Sequence, residues 1–217
     1  MREEIIRLMA DKKIIAIVRG ISDREKCIRL AEALLKGGIC LIEVTFNQSA
    51  PKRFSDTLSA ISEIDRVFGS AVSVGAGTVL TTEQVIMAES AGAKYIISPN
   101  TSVSVIEKTR DLGLVSIPGA MTPTEITLAA SAGADIVKLF PAGILGTAYI
   151  NAIRAPLNHV RLLATGGIDA RNIPELLTCG CFGFGVGGNL VNKEWIESGQ
   201  FERITLAARE ICDAADV

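Results

Sequence analysis

Short apolar runs recur along this chain roughly 20 to 25 residues apart, each followed by a stretch of helical character. The runs are Ile14–Arg19, Leu41–Thr45, Ala71–Gly75, Tyr95–Ser98, Leu114–Ile117, Asp135–Phe140, Val160–Ala164 and Phe182–Val186. Helices are expected from near Ser22-Asp23, after Ser49-Ala50-Pro51, from Thr81-Thr82-Glu83, over about Thr101–Asp111, after Thr122-Pro123, and at the end to about Ala214. Ser22 with Glu25 reads as a capping box for the first of these. Ala91-Gly92-Ala93 and Ala132-Gly133-Ala134 read as one helix-stop turn used twice.

Eight such units without a linker or a break in composition predict a single α/β domain over residues 1–217. The expected fold is a (β/α)8 TIM barrel, preceded by an extra, charged amphipathic N-terminal helix. The chain has 217 residues, close to the lower limit of about 200 for such a barrel. A doubly wound open sheet is the rival, and so many short units in so few residues disfavour it. Hydrophobic residues make up 48% of the chain, as expected when parallel strands are covered on both faces.

The formal net charge is −2 and no basic stripe is visible, which argues against nucleic acid as a partner. No apolar run reaches the roughly 18 residues needed to span a bilayer, and no secretory segment opens the chain. A cytoplasmic protein is expected. The five cysteines (Cys27, Cys40, Cys179, Cys181 and Cys212) fit no zinc spacing and read as buried, inert thiols. His159 is the only histidine and stands in a turn, so histidine-based metal sites and catalytic pairs are excluded.

Chemistry in such a barrel belongs at the C-terminal ends of the strands. Lys138 interrupts the apolar run Ile136–Phe140, and Glu43 interrupts Leu41–Thr45. Each has a structural reading: an ion pair between them or with Arg19, or a lysine snorkelling to the rim. The functional reading makes Lys138 an amine that desolvation can neutralise for imine formation, with Glu43 as the general acid/base. Two anomalies of opposite charge, both expected at the barrel mouth, favour a site. Arg19 could fork onto a planar carboxylate, with a hydroxyl from Thr78 beside it. Thr165-Gly166-Gly167 and Gly187-Gly188-Asn189 end the seventh and eighth strands, where barrels often bind phosphate through backbone N–H groups.

Six segments in order resemble the 2-keto-3-deoxy-6-phosphogluconate / 4-hydroxy-2-oxoglutarate aldolase family: Ile42–Thr45, Val74–Val79, Ile97–Pro99, Ile117–Gly119, Lys138–Pro141 and Ala164–Ile168. The resemblance covers nearly the whole chain. It implies a metal-independent class I lyase, in most cases a homotrimer, that needs no cofactor beyond its own lysine. Lys138 would form the Schiff base with the C2 ketone of a phosphorylated 2-keto acid, and Glu43 would move the proton. Arg19, Thr45, Asn47, Thr78, Pro99, Phe140 and Thr165 would line the substrate. Gly166, Gly167, Gly187, Gly188 and Asn189 would hold phosphate. Products would be pyruvate with glyceraldehyde 3-phosphate, or with glyoxylate from 4-hydroxy-2-oxoglutarate. Two positions depart from the family's usual pattern. Some members carry an arginine where Asn47 stands, and an asparagine there also occurs in relatives acting on the galactonate epimer. Many carry a serine where Asn189 stands. A phosphate-binding epimerase or isomerase and a non-catalytic barrel are the alternatives.

Overall fold

The computed structural model describes residues 1–50 and 54–217. In chain order the elements are α1 (Arg2–Lys12), β1 (Ile14–Val18), α2 (Arg24–Lys36), β2 (Leu41–Thr45), α3 (Phe54–Phe68), β3 (Ser73–Gly77), α4 (Thr82–Ser90) and β4 (Tyr95–Ile97). There follow α5 (Val103–Asp111), β5 (Val115–Ile117), β6 (Gly119–Ala120), α6 (Pro123–Ser131), β7 (Val137–Leu139), α7 (Ala142–Arg154) and β8 (Leu162–Thr165). The chain closes with α8 (Ile173–Thr178), β9 (Gly183–Val186), α9 (Lys193–Glu197) and α10 (Phe201–Ala215).

All strand pairings are parallel, and the sheet order is β5-β4-β3-β2-β1-β9-β8-β7-β6. The two ends of that order, β5 and β6, are halves of one barrel strand separated by Pro118. Proline has no N–H to give a ladder, and so the strand breaks there. Its carbonyl still accepts the Lys138 N–H at 2.9 Å, and Ser116 O accepts from Asp135 N at 3.0 Å. The cylinder is therefore closed, and the expected (β/α)8 barrel with its N-terminal helix is the fold.

Side chains along each strand alternate between two apolar cores. Ile14, Ala16, Val18, Ile42, Val44, Val137, Leu139, Leu162 and Ala164 face the ring of helices. Ile15, Leu41, Tyr95, Ile97, Val115, Ile117, Ile136 and Leu163 face the barrel axis, where Ile5, Ile6 and Met9 of α1 join them. Thus α1 closes the N-terminal end of the barrel like a stopper. Arg2 fastens it, since its Nε donates to Asp135 Oδ1 at 3.1 Å, while Asp135 Oδ2 accepts the Ser116 N–H at 2.9 Å.

Some local expectations shift. The α2 N-cap is Asp23, whose carboxylate accepts the Lys26 N–H, so Ser22 and Glu25 form no capping box there. A capping box does exist at α6, between Thr122 and Glu125. The third strand starts two residues later than expected, because residues Gly69–Ala71 make a 3-10 turn. The expected start of α3 after Pro51 lies outside the described residues. The repeated stop turn is present, with positive φ at Gly92 and Gly133 and return bonds from Ala93 N to Ala88 O and Ala134 N to Ala129 O. Among the described residues no helix is long and apolar enough to cross a membrane.

Met9 is 2% exposed in the barrel floor. Its replacement by Ala should cost about 2–4 kcal/mol through lost transfer energy and a residual cavity. Urea unfolding checks this, and a cost below about 1 kcal/mol would mean that α1 is a loose cover.

Candidate active site

The alternation places specific side chains in the mouth. On β2, Leu41 faces the axis, so Glu43 and Thr45 do as well. On β7, Lys138 stands two residues beyond the inward Ile136, and on β8, Thr165 stands two beyond the inward Leu163. Glu43 is 2% exposed and Lys138 6% exposed. The Glu43 carboxyl lies over Gly77, where a Cβ would sit 1.8 Å from Oε1, so only glycine is tolerated there. Burial pushes the Glu43 carboxyl above the ordinary carboxylate range, while the charges of Lys138 and Arg19 pull it back. The Lys138 ammonium stands 5.3 Å from the centre of the Phe140 ring, within cation–π range. Phe140 in turn touches Gly166, whose Cβ would come within 3.0 Å of the ring.

Around this pair the expected site residues fall into two groups. Arg19 is exposed at the end of β1 and its guanidinium crosses Gly187, where a Cβ would meet Nη1 at 2.7 Å. Arg19 thereby links the Glu43 side of the mouth to the loop after β9. Thr165 is buried, and its Oγ1 is a buried side-chain oxygen without a partner among the described residues. Such an atom costs about 1–3 kcal/mol unless a ligand atom meets it. Asn47 is exposed, and its Oδ1 accepts from Ser49 N at 3.2 Å and Ser49 Oγ at 2.7 Å, an Asx turn at the end of β2. Pro99 is exposed at the rim, with its carbonyl packed against Gly119. Gly188 is open on its Cβ side, and Asn189 is exposed with Nδ2 bonded to Ile168 O at 3.0 Å.

Thr78 shows what the sequence hid. Its φ is 56°, rare for a β-branched residue, and such strain costs about 1–3 kcal/mol. Two glutamines hold it: Gln48 Nε2 donates to Thr78 O at 2.6 Å, and Gln84 Nε2 donates to Gln48 Oε1 at 3.0 Å. Gln84 Oε1 also accepts the Leu80 N–H at 2.7 Å. The available signal was Gln84 itself, a polar residue at a buried helix position.

Outside the mouth, His159 is exposed in a turn. The cysteines are unpaired, and burial lifts the thiols of Cys27 and Cys212 to about 11 and that of Cys181 to about 12. Those three thiols stay protonated at neutral pH. No group of three potential metal ligands occurs among the described residues.

A buried amine and a buried carboxyl at the mouth of a parallel α/β barrel, beside two glycine-rich loops, suit the class of aldolases that work through a lysine. The sequence matches the family described as "Aldolase: KDPG and KHG aldolase" over residues 5–207, and the chain belongs to that family. It is a lyase. It is 34% identical to a probable 2-dehydro-3-deoxy-6-phosphogalactonate aldolase of Rhizobium meliloti, over 94% of this chain and 93% of that protein. It is 36% identical to a 2-dehydro-3-deoxy-phosphogluconate aldolase of Treponema pallidum, over 86% of each. The fold superposes with a TM-score of 0.85 on KDPG aldolase from Legionella pneumophila, at 27% identity, covering 95% of this chain and 97% of that one. That structure holds pyruvate captured at low pH as a covalent carbinolamine intermediate. Aldolases of this family are class I enzymes that need no cofactor.

Thr165→Val keeps the shape and removes the unpartnered hydroxyl. Thermal or urea unfolding should show the variant about 1 kcal/mol more stable, while pyruvate release slows at least tenfold. Stability gained without loss of turnover would mean that the hydroxyl meets nothing during the reaction.

Proposed function

We propose that this protein cleaves 2-keto-3-deoxy-6-phosphogluconate to pyruvate and glyceraldehyde 3-phosphate, with Lys138 as the Schiff-base residue and Glu43 as the proton carrier. The observation that carries the reading is the burial of this amine and this carboxyl on facing strands of one lumen. In this mechanism the Lys138 amine attacks the C2 ketone, and the carbinolamine loses water to give an iminium. Glu43 accepts the C4 hydroxyl proton, directly or through a water held by Thr165. The C3–C4 electron pair moves into the iminium as the aldehyde leaves. The resulting enamine takes a proton at C3, and hydrolysis returns pyruvate and the free amine.

Arg19 and Thr78 are assigned to the substrate carboxylate end, with Thr45, Asn47, Pro99 and Phe140 along the wall. Phosphate is assigned to the N–H groups of Gly166, Gly167, Gly187 and Gly188, with Asn189 at their edge. The same lysine and carboxyl would also serve 4-hydroxy-2-oxoglutarate, which yields glyoxylate. A second reading, the galactonate epimer, is favoured by Asn47 and by the likeness to the Rhizobium meliloti protein. Both epimers give the same products, because C4 becomes the planar aldehyde carbon. By family likeness we further propose a homotrimer in the cytoplasm. A light-scattering mass three times that of the chain would support the assembly.

Borohydride with pyruvate should fix a three-carbon fragment on Lys138, read by peptide mass. Lys138→Met should show neither adduct nor turnover, and an unchanged mass for the natural chain would end the Schiff-base reading.

The pH profile provides a separate check on Glu43. A raised carboxyl must lose its proton to act as base, so kcat/KM should rise through an acid limb above the ordinary value of about 4.3. The folded state then binds this proton more tightly than the unfolded chain does. Glu43 therefore makes the fold less stable as pH climbs from the ordinary value through the raised one. An acid limb at or below the ordinary carboxylate value would remove Glu43 as the base.

A further inference from the structure

Side-chain alternation along β3 slips by one residue at Thr78. Val74 and Ala76 face the ring of helices, while Gly75 and Gly77 face the axis, since a Cβ there would meet Tyr95 and Glu43. An unbroken strand would send Thr78 toward the helices and Val79 inward. Val79 is instead fully buried in the helix-side core, so the phase changes at the left-handed Thr78.

Both peptides flanking Thr78 are fixed by groups from other segments. Gly77 O accepts the Phe46 N–H at 2.9 Å, on the β2 side. In a trans peptide the N–H points away from the C=O, so the Thr78 N–H faces the β4 side. The next peptide is held at both ends. Thr78 O accepts Gln48 Nε2 at 2.6 Å, and the Val79 N–H donates to Ile97 O at 3.2 Å. Gln84 fixes Gln48 in turn by donating to its Oε1 at 3.0 Å, and accepts the Leu80 N–H at 2.7 Å. Locking both peptides sets φ and ψ of Thr78, and with them the direction of its Cβ and hydroxyl. Thr78 is half-buried, and among the described residues neither its N–H nor its Oγ1 has a hydrogen-bond partner.

We propose that Gln48 and Gln84 are positioning residues for the carboxylate end of the substrate: they hold Thr78 in its left-handed turn, with N–H and hydroxyl left for the anion. This rests on the assignment of Thr78 to the carboxylate given above. Each glutamine acts through the Thr78 peptide rather than on the reacting carbons. A carboxamide suits the task because it donates to a carbonyl and accepts from a neighbour without adding charge beside a bound acid.

The test compares borohydride trapping on Lys138 over a range of concentrations of pyruvate and of pyruvamide, which keeps the ketone and lacks the charge. Gln48→Met and Gln84→Met should each raise the half-saturating pyruvate concentration about tenfold. Half-saturation by pyruvamide and the final extent of labelling should stay within about twofold of the natural chain. In a Thr78→Gly background a positive φ carries no strain, so adding Gln48→Met should shift pyruvate half-saturation less than about twofold. Should Gln84→Met fail to fold, Gln48→Met, at a half-buried position, carries the test. Equal weakening of pyruvate and pyruvamide would mean a general loosening of the mouth and overturn the proposal. Unchanged pyruvate trapping in the glutamine variants, while Thr78→Val weakens it, would overturn it as well. If Thr78→Val itself leaves pyruvate trapping unaltered, the carboxylate assignment of Thr78 falls, and the proposal with it.

Discussion

Everything at the mouth of this barrel depends on the Lys138 amine and the Glu43 carboxyl being buried in one lumen. Burying either charge alone costs several kcal/mol, and mutual attraction offsets this only when the pair is well placed. The closed cylinder provides the placement. Alternation on β2 and β7 sends Glu43 and Lys138 inward, above a floor filled by Tyr95, Ile97, Leu163 and the α1 side chains. The floor matters to the chemistry because it excludes water from below and lets charge act at short range. Burial still prevails at Glu43, whose carboxyl holds its proton more tightly than an exposed one.

Long polar side chains need room in a space sized for small ones. Gly77 provides it for Glu43 and Gly187 provides it for Arg19, each by lacking the Cβ that would collide. These glycines thus act on the chemistry from the neighbouring strand. Gly187 was expected in the phosphate loop, and the guanidinium lying over it adds a second constraint on that position. Arg19 and the loop after β9 thus share one boundary of the mouth.

Most of the barrel was legible because parallel strands covered on both faces are apolar throughout, leaving Lys138 and Glu43 as visible interruptions. The resemblance of six ordered segments fixed the same two residues from another direction. Less legible were features that depend on pairing across the chain. Gln48 and Gln84 form their strap over Thr78 from separate βα units, and neither has a motif to announce it. Asn172 and Asn189 likewise reach Gly167 O and Ile168 O from separate βα units. The α2 cap was misplaced by one residue because Ser22 and Asp23 are both good caps, and the charged acceptor took the position. The break in the fifth strand was written in Pro118, but a proline at a strand end and one in mid-strand look alike in sequence.

The unresolved choice between C4 epimers can be located physically. Imine formation would engage C2, and bond cleavage makes C4 planar, so a Schiff base at Lys138 would be indifferent to the C4 configuration. Both termini of the substrate would be anchored, the carboxylate by Arg19 and Thr78 and the phosphate by the loops after β8 and β9. With the ends fixed, the epimers differ in which wall of the lumen receives the C4 hydroxyl. As the proposed base, Glu43 would take that proton from the wall formed by β2 and β3, over Gly77. Selectivity must therefore reside in how the two anchors rotate the chain relative to Glu43.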